Sequence, residues 1–360
     1  MKYEYWFANI NGITGRRKSK IREGIKNIQT LYYIEETALQ KMDLTEKERQ
    51  AVLQSITTWE LDEEYRKLQE SGAEFITVFD SRYPKRLCKI QSPPYALYVK
   101  GKLPEDTAPT VAIVGARECS PYGEAMALRF AESLAGAGFE IVSGMARGVD
   151  SAGQWGALRA GGTTYGVLGC GVDICYPRDS IELYMRLQMQ GGILSEFPIG
   201  TKPLPRHFPA RNRIISGLAD VVLVIEAKEQ SGSLITADMA LEQGKDVYAL
   251  PGPVNSHLSR GCNRLIHQGA GILLSPEELL KDLGIRTENE NGKERQKKLL
   301  LETDENIVYS CLGLTPCSLE QILVETKFSV NHLLDILMKL QLRGIVREIS
   351  KNYYAIVEET

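Results

Sequence analysis

Two stretches constrain this chain more than any others: Thr110-Val-Ala-Ile-Val-Gly-Ala-Arg117 and Ile141-Val-Ser-Gly-Met-Ala-Arg-Gly-Val-Asp150. Each is an apolar run of strand length that breaks into small residues. The intervening Pro121–Gly138 carries Ala125, Leu128, Ala131, Leu134 and Ala135 at helical spacing. A strand–helix–strand unit of this kind demands a parallel sheet with a right-handed crossover. Parallel sheets bind ligands beyond the carboxyl ends of their strands. Gly115 and Arg117 are therefore expected at one such end, and Ser143, Gly144, Arg147 and Gly148 at the next. Bare backbone N–H groups in a Gly-rich turn favour anions. The first expectation is a phosphate-binding edge carrying two arginines. Glycines alone could serve only tight turns, the weaker reading; Arg117 and Arg147 at the ligand edge favour the anion further.

Gly115-Ala-Arg-Glu-Cys-Ser120 does not meet the G-x-G-x-x-G pattern, and no G-x-x-x-x-G-K-[ST] occurs. A dinucleotide turn and a P-loop are thereby excluded. The net charge of −3 gives no global nucleic-acid signal, so any such signal must be local. Seven cysteines without a C-x-x-C pair, and no His at metal spacing, point to a reducing compartment and no metal. Met1-Lys-Tyr-Glu-Tyr-Trp6 lacks an apolar signal core, and runs such as Val221–Ile225 are too short to span a bilayer. A cytoplasmic protein with no membrane partner and no cofactor is expected.

The length of 360 residues suits two or three domains. Residues 1–72 read as a small helical domain, with helices over Thr45–Ile56 and Trp59–Glu70. Its Ile10-Asn-Gly-Ile-Thr-Gly15 turn precedes the basic run Arg16–Arg22. Two readings of that run stand level: a helix–hairpin–helix grip on a nucleic-acid backbone, or a solvated basic face. Residues 73–284 form the α/β domain. Ala73–Phe79 is a strand, and the Pro-punctuated chain from Tyr83 to Val99 is irregular. Strands then follow at Val111–Val114, Glu140–Val142, Thr163–Leu168, Gly192–Leu194, Asp220–Ile225, Asp246–Leu250 and Ile272–Leu274. Alternation with helices makes this an open, doubly wound, mostly parallel sheet. Residues 285–300 are a linker, nearly devoid of apolar side chains from Arg286 to Lys298. Residues 301–360 give three helices and a hairpin, a winged-helix pattern. Its third helix offers Asp335 and mostly apolar residues, which favours a protein-contacting or structural role over DNA reading.

The strongest local charge pattern is Gly200-Thr-Lys-Pro-Leu-Pro-Arg-His-Phe-Pro-Ala-Arg-Asn-Arg-Ile-Ile215. It contains Lys202, Arg206, His207, Arg211 and Arg213 and no acid. Arg211 and Arg213 read as lying near a helix start, where cations oppose the macrodipole unless an anion is present. Phe208 among cations suits base stacking beside a held backbone. Ion pairs from the arginines to Asp150, Asp173 or Glu196 are the alternative. Leu168-Gly-Cys-Gly-Val-Asp-Ile-Cys-Tyr-Pro-Arg178 delivers Arg178 to the same edge. Ser231-Gly-Ser-Leu-Ile-Thr236 opens a helix after the strand ending at Glu226, a fourth anion position. Four turns aimed at one edge suit a strand of nucleic acid better than a mononucleotide.

In this order, Val111-Ala-Ile-Val-Gly-Ala-Arg117, Ser143-Gly-x-Ala-x-Gly-x-Asp150, Gly169-x-Gly-x-Asp173, Tyr176-Pro177, Phe208-Pro-x-Arg-Asn-Arg-Ile-Ile215, Glu226-Ala227, Ser231-Gly-Ser-Leu-Ile-Thr-Ala237, Pro251-Gly252 and Gly261-Cys-Asn263 resemble the DprA/Smf family of DNA-processing proteins. The likeness is close over residues 75 to 283. It implies a Rossmann-like domain flanked by a SAM or helix–hairpin–helix-like helical domain and a winged helix. It also implies single-stranded DNA binding, protection of that strand, and help in loading the RecA recombinase during natural transformation. A homodimer through the region of Gly261 to Leu274 is implied as well. Carried over by motif, Arg117, Arg178, Arg211 and Arg213 hold phosphates, Ser143 and Gly144 line the pocket, and Phe208 contacts a base. Arg147, Lys202, Arg206, His207, Asn212, Ser231 and Ser233 complete the expected DNA-contacting set. One departure is visible: the family's Ala-His-Arg-Gly is here Gly153-Gln-Trp-Gly156.

The rival class is a nucleotide-processing enzyme, similar to the lysine-decarboxylase-like phosphoribohydrolases. These carry G-G-x-G-T-x-x-E with a working Glu; Met239 stands where that acid would fall. Asp150, Asp173, Glu196 and Glu226 lie near the edge, none with a second acid or His at close spacing. A binding protein with no catalytic residues is the expectation.

Overall fold

A computed structural model describes residues 1–285, 303–312, 317–350 and 352–356. The expected linker, 285–300, lies outside the described residues beyond Ile285. The chain divides into two compact units, Met1–Thr287 and Glu288–Thr360.

The first unit is built on nine strands: β1 Glu74–Thr77, β2 Ala96–Gly101, β3 Thr110–Gly115, β4 Glu140–Ser143, β5 Thr164–Val167, β6 Gly191–Ser195, β7 Val221–Ile225, β8 Asp246–Ala249 and β9 Gly271–Ile272. They run in the order β1-β2-β6-β5-β4-β3-β7-β8-β9. All pairings from β6 to β9 are parallel, while β1 and β2 join antiparallel at one end. The order reverses between β3 and β7, which opens a crevice beyond their carboxyl ends. Strands read from period and flanking turns recur within a residue or two. The exception is β2, expected as irregular chain. Pro93 and Pro94 sit just before the strand, and Ala96–Val99 behind them are all buried. Prolines that end at a strand's first residues do not break it.

Helices α1 Lys2–Ala8, α2 Gly15–Glu23, α3 Gln29–Tyr32, α4 Glu36–Leu39, α5 Glu46–Thr58 and α6 Leu61–Glu70 precede the sheet. Helices α7 Lys85–Cys88, α8 Pro121–Gly136, α9 Val149–Arg159, α10 Ile181–Met189, α11 His207–Leu218, α12 Gly232–Glu242, α13 Arg260–His267 and α14 Pro276–Asp282 connect its strands. Alternation along the strands divides the core. Ala112, Val142, Val167, Leu194 and Val224 face one way with Ile214, Ile215 and Ala237. Val111, Ile113, Ile141 and Leu223 face the other with Ala127, Phe130, Ala131 and Leu134 of α8. The buried stripe of α8 therefore runs through Ala127 and Phe130, and Ala125, expected on it, is exposed.

The expected boundary at 72/73 falls inside a continuous core. Tyr5 packs edge-on against Phe75 at 5.4 Å and Tyr98 at 6.0 Å, and the Tyr98 hydroxyl donates to Asn9 Oδ1 at 2.8 Å. The basic helix α2 is largely committed inward. Arg17 pairs with Glu48 at 2.9 Å, Arg22 pairs with Glu4, and the buried Lys18 donates to the Ala8 carbonyl. Gly15 sits where a Cβ would strike the Pro93 carbonyl. Those partners favour neither a backbone clamp nor a wholly solvated face, and leave Arg16 and Lys20 exposed.

The second unit holds α15 Thr303–Cys311, β10 Cys317–Ser318, α16 Leu319–Thr326, α17 Val330–Leu342, β11 Val346–Ser350 and β12 Tyr353–Ile356, with strand order β10-β12-β11. A Ser318–Gln321 capping box opens α16, and Leu333, Ile336, Leu337 and Leu340 of α17 fill its core. Three helices with a short sheet are the winged-helix arrangement.

Candidate nucleic-acid interface

A cleft of about 570 Å³ occupies the crevice where the strand order reverses. Its lining comes from the β3 turn (Gly115 to Glu118), the start of α11 (Phe208, Arg211, Asn212), and the segment from Lys228 into α12. Gly115 is required because a Cβ there would fall on the Ile225 carbonyl, so only glycine lets β3 and β7 close at this point. Ser231 caps α12 by accepting from Ser233 N–H at 3.4 Å, and directs that helix's N-terminus, the positive end of its dipole, at the cleft.

Arg117 is exposed and lies over the Phe208 ring at 5.4 Å, with no acid paired to it among the described residues. Tyr176 packs against Phe208, ring centres 5.6 Å apart and planes tilted by 31°. Below it, Gly169 leaves room that a Cβ, 2.9 Å from the ring, would take. The result is an aromatic shelf with a cation above it. Lys228 is a second exposed cation in the lining without an ion pair among the described residues.

Arg211 is different in kind. It is buried, and its Nη1 donates to the Gly144 carbonyl at 2.8 Å and to the Val167 carbonyl. Burial pulls its pKa down to about 10, opposed by the charge of Asp150. Asp150 is itself buried, accepts from Gly144 N–H at 3.1 Å, and is pushed above the usual carboxylate range by desolvation, with Arg211 acting in the opposite sense. Arg211 thus ties α11 to the ends of β4 and β5 and contributes positive potential from the floor. Arg211, expected to hold a phosphate, has its guanidinium buried beneath the cleft and already donating to these two carbonyls.

The remaining expected residues separate into groups. Asn212, Ser231 and Ser233 line the cleft, Asn212 donating to the Gly232 carbonyl at 3.2 Å. Gly144 sits against the Arg211 guanidinium, and a Cβ would come within 2.5 Å of it. Ser143 is not brought to the cleft; it is fully buried and its hydroxyl donates to the Ile113 carbonyl. Arg213 is not brought there either, since its guanidinium pairs with Glu196 at 2.6 Å. The internal ion pair weighed as the alternative is therefore real for Arg213. Arg147 pairs with Asp179 at 2.8 Å, outside the lining. His207 stacks on Phe197 at 4.2 Å and contacts the Gly169 carbonyl at 3.2 Å. Arg178, Lys202 and Arg206 are exposed and unpaired among the described residues, next in sequence to or near the lining residues Tyr176 and Pro205. Tyr176 and Lys228 were missed. The aromatic before Pro177, and a Lys three residues past the β7 end, were the signals available.

The acids named for chemistry are occupied. Glu226 accepts from Ser120 N–H at 2.8 Å and from its hydroxyl at 2.5 Å, capping the start of α8. Asp173 accepts from Gly200 N–H at 3.0 Å. Among the described residues no cluster of His, Cys, Asp and Glu could hold a metal, and no helix is long and apolar enough to cross a membrane.

The model of the DNA recombination-mediator protein A family matches residues 74–284, and that of the DprA winged helix domain matches 293–350. The chain belongs to the DprA/Smf family. It is 41% identical to Protein Smf of Escherichia coli over 70% of this chain and 67% of that one. It is 35% identical to the DNA processing protein DprA of Streptococcus pneumoniae over 78% of this chain and 97% of that one. The X-ray structure of a Streptococcus pneumoniae DprA superposes with a TM-score of 0.69 at 34% identity, over 78% of this chain and 98% of that chain. A Helicobacter pylori DNA processing protein A, solved for its single-stranded DNA binding mode, superposes with a TM-score of 0.53 at 32% identity, over 59% and 97%. Membership in the family accounts for the doubly wound sheet and for the winged helix after it.

Proposed function

We propose that the chain binds single-stranded DNA along the cleft where the strand order reverses, as a non-catalytic DNA-processing protein of transformation and recombination. The observation that carries this reading is the Phe208–Tyr176 shelf under the unpaired Arg117, beside the exposed Lys228. An aromatic ring offers a face to any base, and cations without internal partners are available to phosphates. Family relatives are named as DNA-processing proteins, and the Helicobacter pylori relative is described with a single-stranded DNA binding mode. Phosphate contacts come from Arg117, Lys228 and the neighbouring Arg178, Lys202 and Arg206, with Asn212, Ser231 and Ser233 supplying polar contacts. Transfer of the strand to RecA rests on the family likeness alone. Homodimerisation is supported by the sheet-end strand β9, where Ile272 is 46% and the following Leu274 68% exposed. Cytoplasmic residence accords with seven cysteines spread along the chain without a C-x-x-C pair.

A non-catalytic role is supported by the engagement of Glu226, Asp173 and Asp150 in backbone and capping bonds. Fluorescence anisotropy with a labelled oligo-dT and with a blunt duplex of equal length tests the proposal. The single strand binds more tightly, because a stacking shelf needs unpaired bases. Nucleoside monophosphates incubated with the same protein release no free base. Equal affinity for the duplex removes the shelf from the account, and released base returns the hydrolase alternative.

A further inference from the structure

Arg117 lines a second hollow, of about 410 Å³, which runs between α8 and α9. Its other walls include Trp155 and Arg159 from α9, and Glu118 and Glu124 from the turn and first residues leading into α8. Trp155 is half-buried, packed against the core beneath and lining the hollow. Arg159 is exposed, and the acid facing it, Glu132, is 3.8 Å away with both side chains in solvent. An ion pair of that kind holds its members weakly, so Arg159 can turn to a phosphate.

The chemistry of the hollow suits a base and not a phosphate. Two carboxylates, Glu118 and Glu124, repel a phosphate but accept from an exocyclic amine, as Glu and Asp do from cytosine N4. An indole face gives the stacking surface. Phosphates on either side of such a base are served by Arg117 and Arg159. Because Arg117 borders both cavities, a strand seated in the first cleft continues into the second without leaving the protein. We infer that the Trp155 hollow is a second subsite for the same single strand, selective for an amino-bearing base such as cytosine over thymine. This rests on the single-strand reading of the first cleft. It adds base preference, which the Phe208 shelf does not supply.

Anisotropy and tryptophan fluorescence, read together on the full chain in mildly alkaline buffer with oligo-dC and oligo-dT of equal length, test it. Of the other tryptophans, Trp6 is fully buried and Trp59 packs on Tyr5 among the N-terminal helices, so Trp155 dominates any quenching. Oligo-dC binds about fivefold more tightly than oligo-dT, the worth of roughly one hydrogen bond, and quenches the emission. In Trp155→Phe the quenching disappears while most affinity is kept, since a ring remains. Trp155→Ala weakens oligo-dC by about tenfold. If both strands bind equally and Trp155→Phe leaves the quenching in place, the hollow is not a subsite, although the first cleft stands. If neither strand shifts the anisotropy, the single-strand reading fails and the subsite with it.

Discussion

Arg211→Ala is expected to unfold the first unit several degrees earlier and to abolish DNA binding, instead of weakening it by one phosphate contact. The guanidinium supplies donors to the Gly144 and Val167 carbonyls, both at strand ends that form the cleft floor. Truncation leaves those acceptors buried without a donor and leaves Asp150 without the buried positive charge that favours its carboxylate. Losses of this type cost about 3 kcal/mol. At the usual entropy of unfolding for a unit this large, that is a fall of roughly 5 °C in Tm. Arg211→Lys keeps a charge, but its ammonium ends one bond short of the Nη1 that serves both carbonyls, and it falls between the two. Differential scanning calorimetry decides the matter. An unchanged Tm combined with a merely reduced salt dependence would show Arg211 to be an ordinary surface contact.

Phe208→Ala is expected to weaken oligo-dT by about 5- to 150-fold, the equivalent of the roughly 1–3 kcal/mol per stacked base found for aromatic platforms. Stability should change little, because the ring belongs to none of the buried clusters and rests between Arg117, Tyr176 and Gly169 at the surface. The weak duplex binding should scarcely change, since paired bases do not reach the shelf. Phe208→Tyr keeps the platform and should keep most of the affinity. Equal losses on single and double strands would instead mean that the ring only positions Arg117.

The doubly wound sheet was legible because parallel strands buried on both faces leave uninterrupted apolar runs, such as Val111–Val114 and Val221–Ile225, between recognisable turns. Strand β2 escaped because its prolines drew attention to the loop before it. The ligand edge was also legible: glycines at strand ends mark turns, and Phe208 and Arg117 do meet. Sequence could not separate the arginines that stay free from those that are spent inside. Arg211 and Arg213 are two residues apart on one helix. The first turns under the sheet ends and the second reaches Glu196. Arg147, expected at the edge, lies outside the cleft lining and pairs at the surface with Asp179, 32 residues on. Such pairings depend on long-range closure of the chain, which no local spacing records. Tyr176 and Lys228 were missed for the opposite reason: a single aromatic and a single Lys carry no pattern until the fold sets them beside Phe208.

The central claim is that exposed cations around this cleft neutralise the phosphates of an unpaired strand. The slope of log affinity against log salt for oligo-dT, measured on the wild type and on Arg117→Ala, tests it most directly. With about four of the five cations Arg117, Arg178, Lys202, Arg206 and Lys228 engaged on phosphate at once, the wild-type slope should lie near −2.8, which is roughly a 50-fold loss between ~50 and ~200 mM salt. Arg117 donates no hydrogen bond to another described residue, so its truncation should leave Tm unchanged and bring the slope to about −2.1. A slope near zero in the wild type, or one that Arg117→Ala leaves unaltered, would contradict the account.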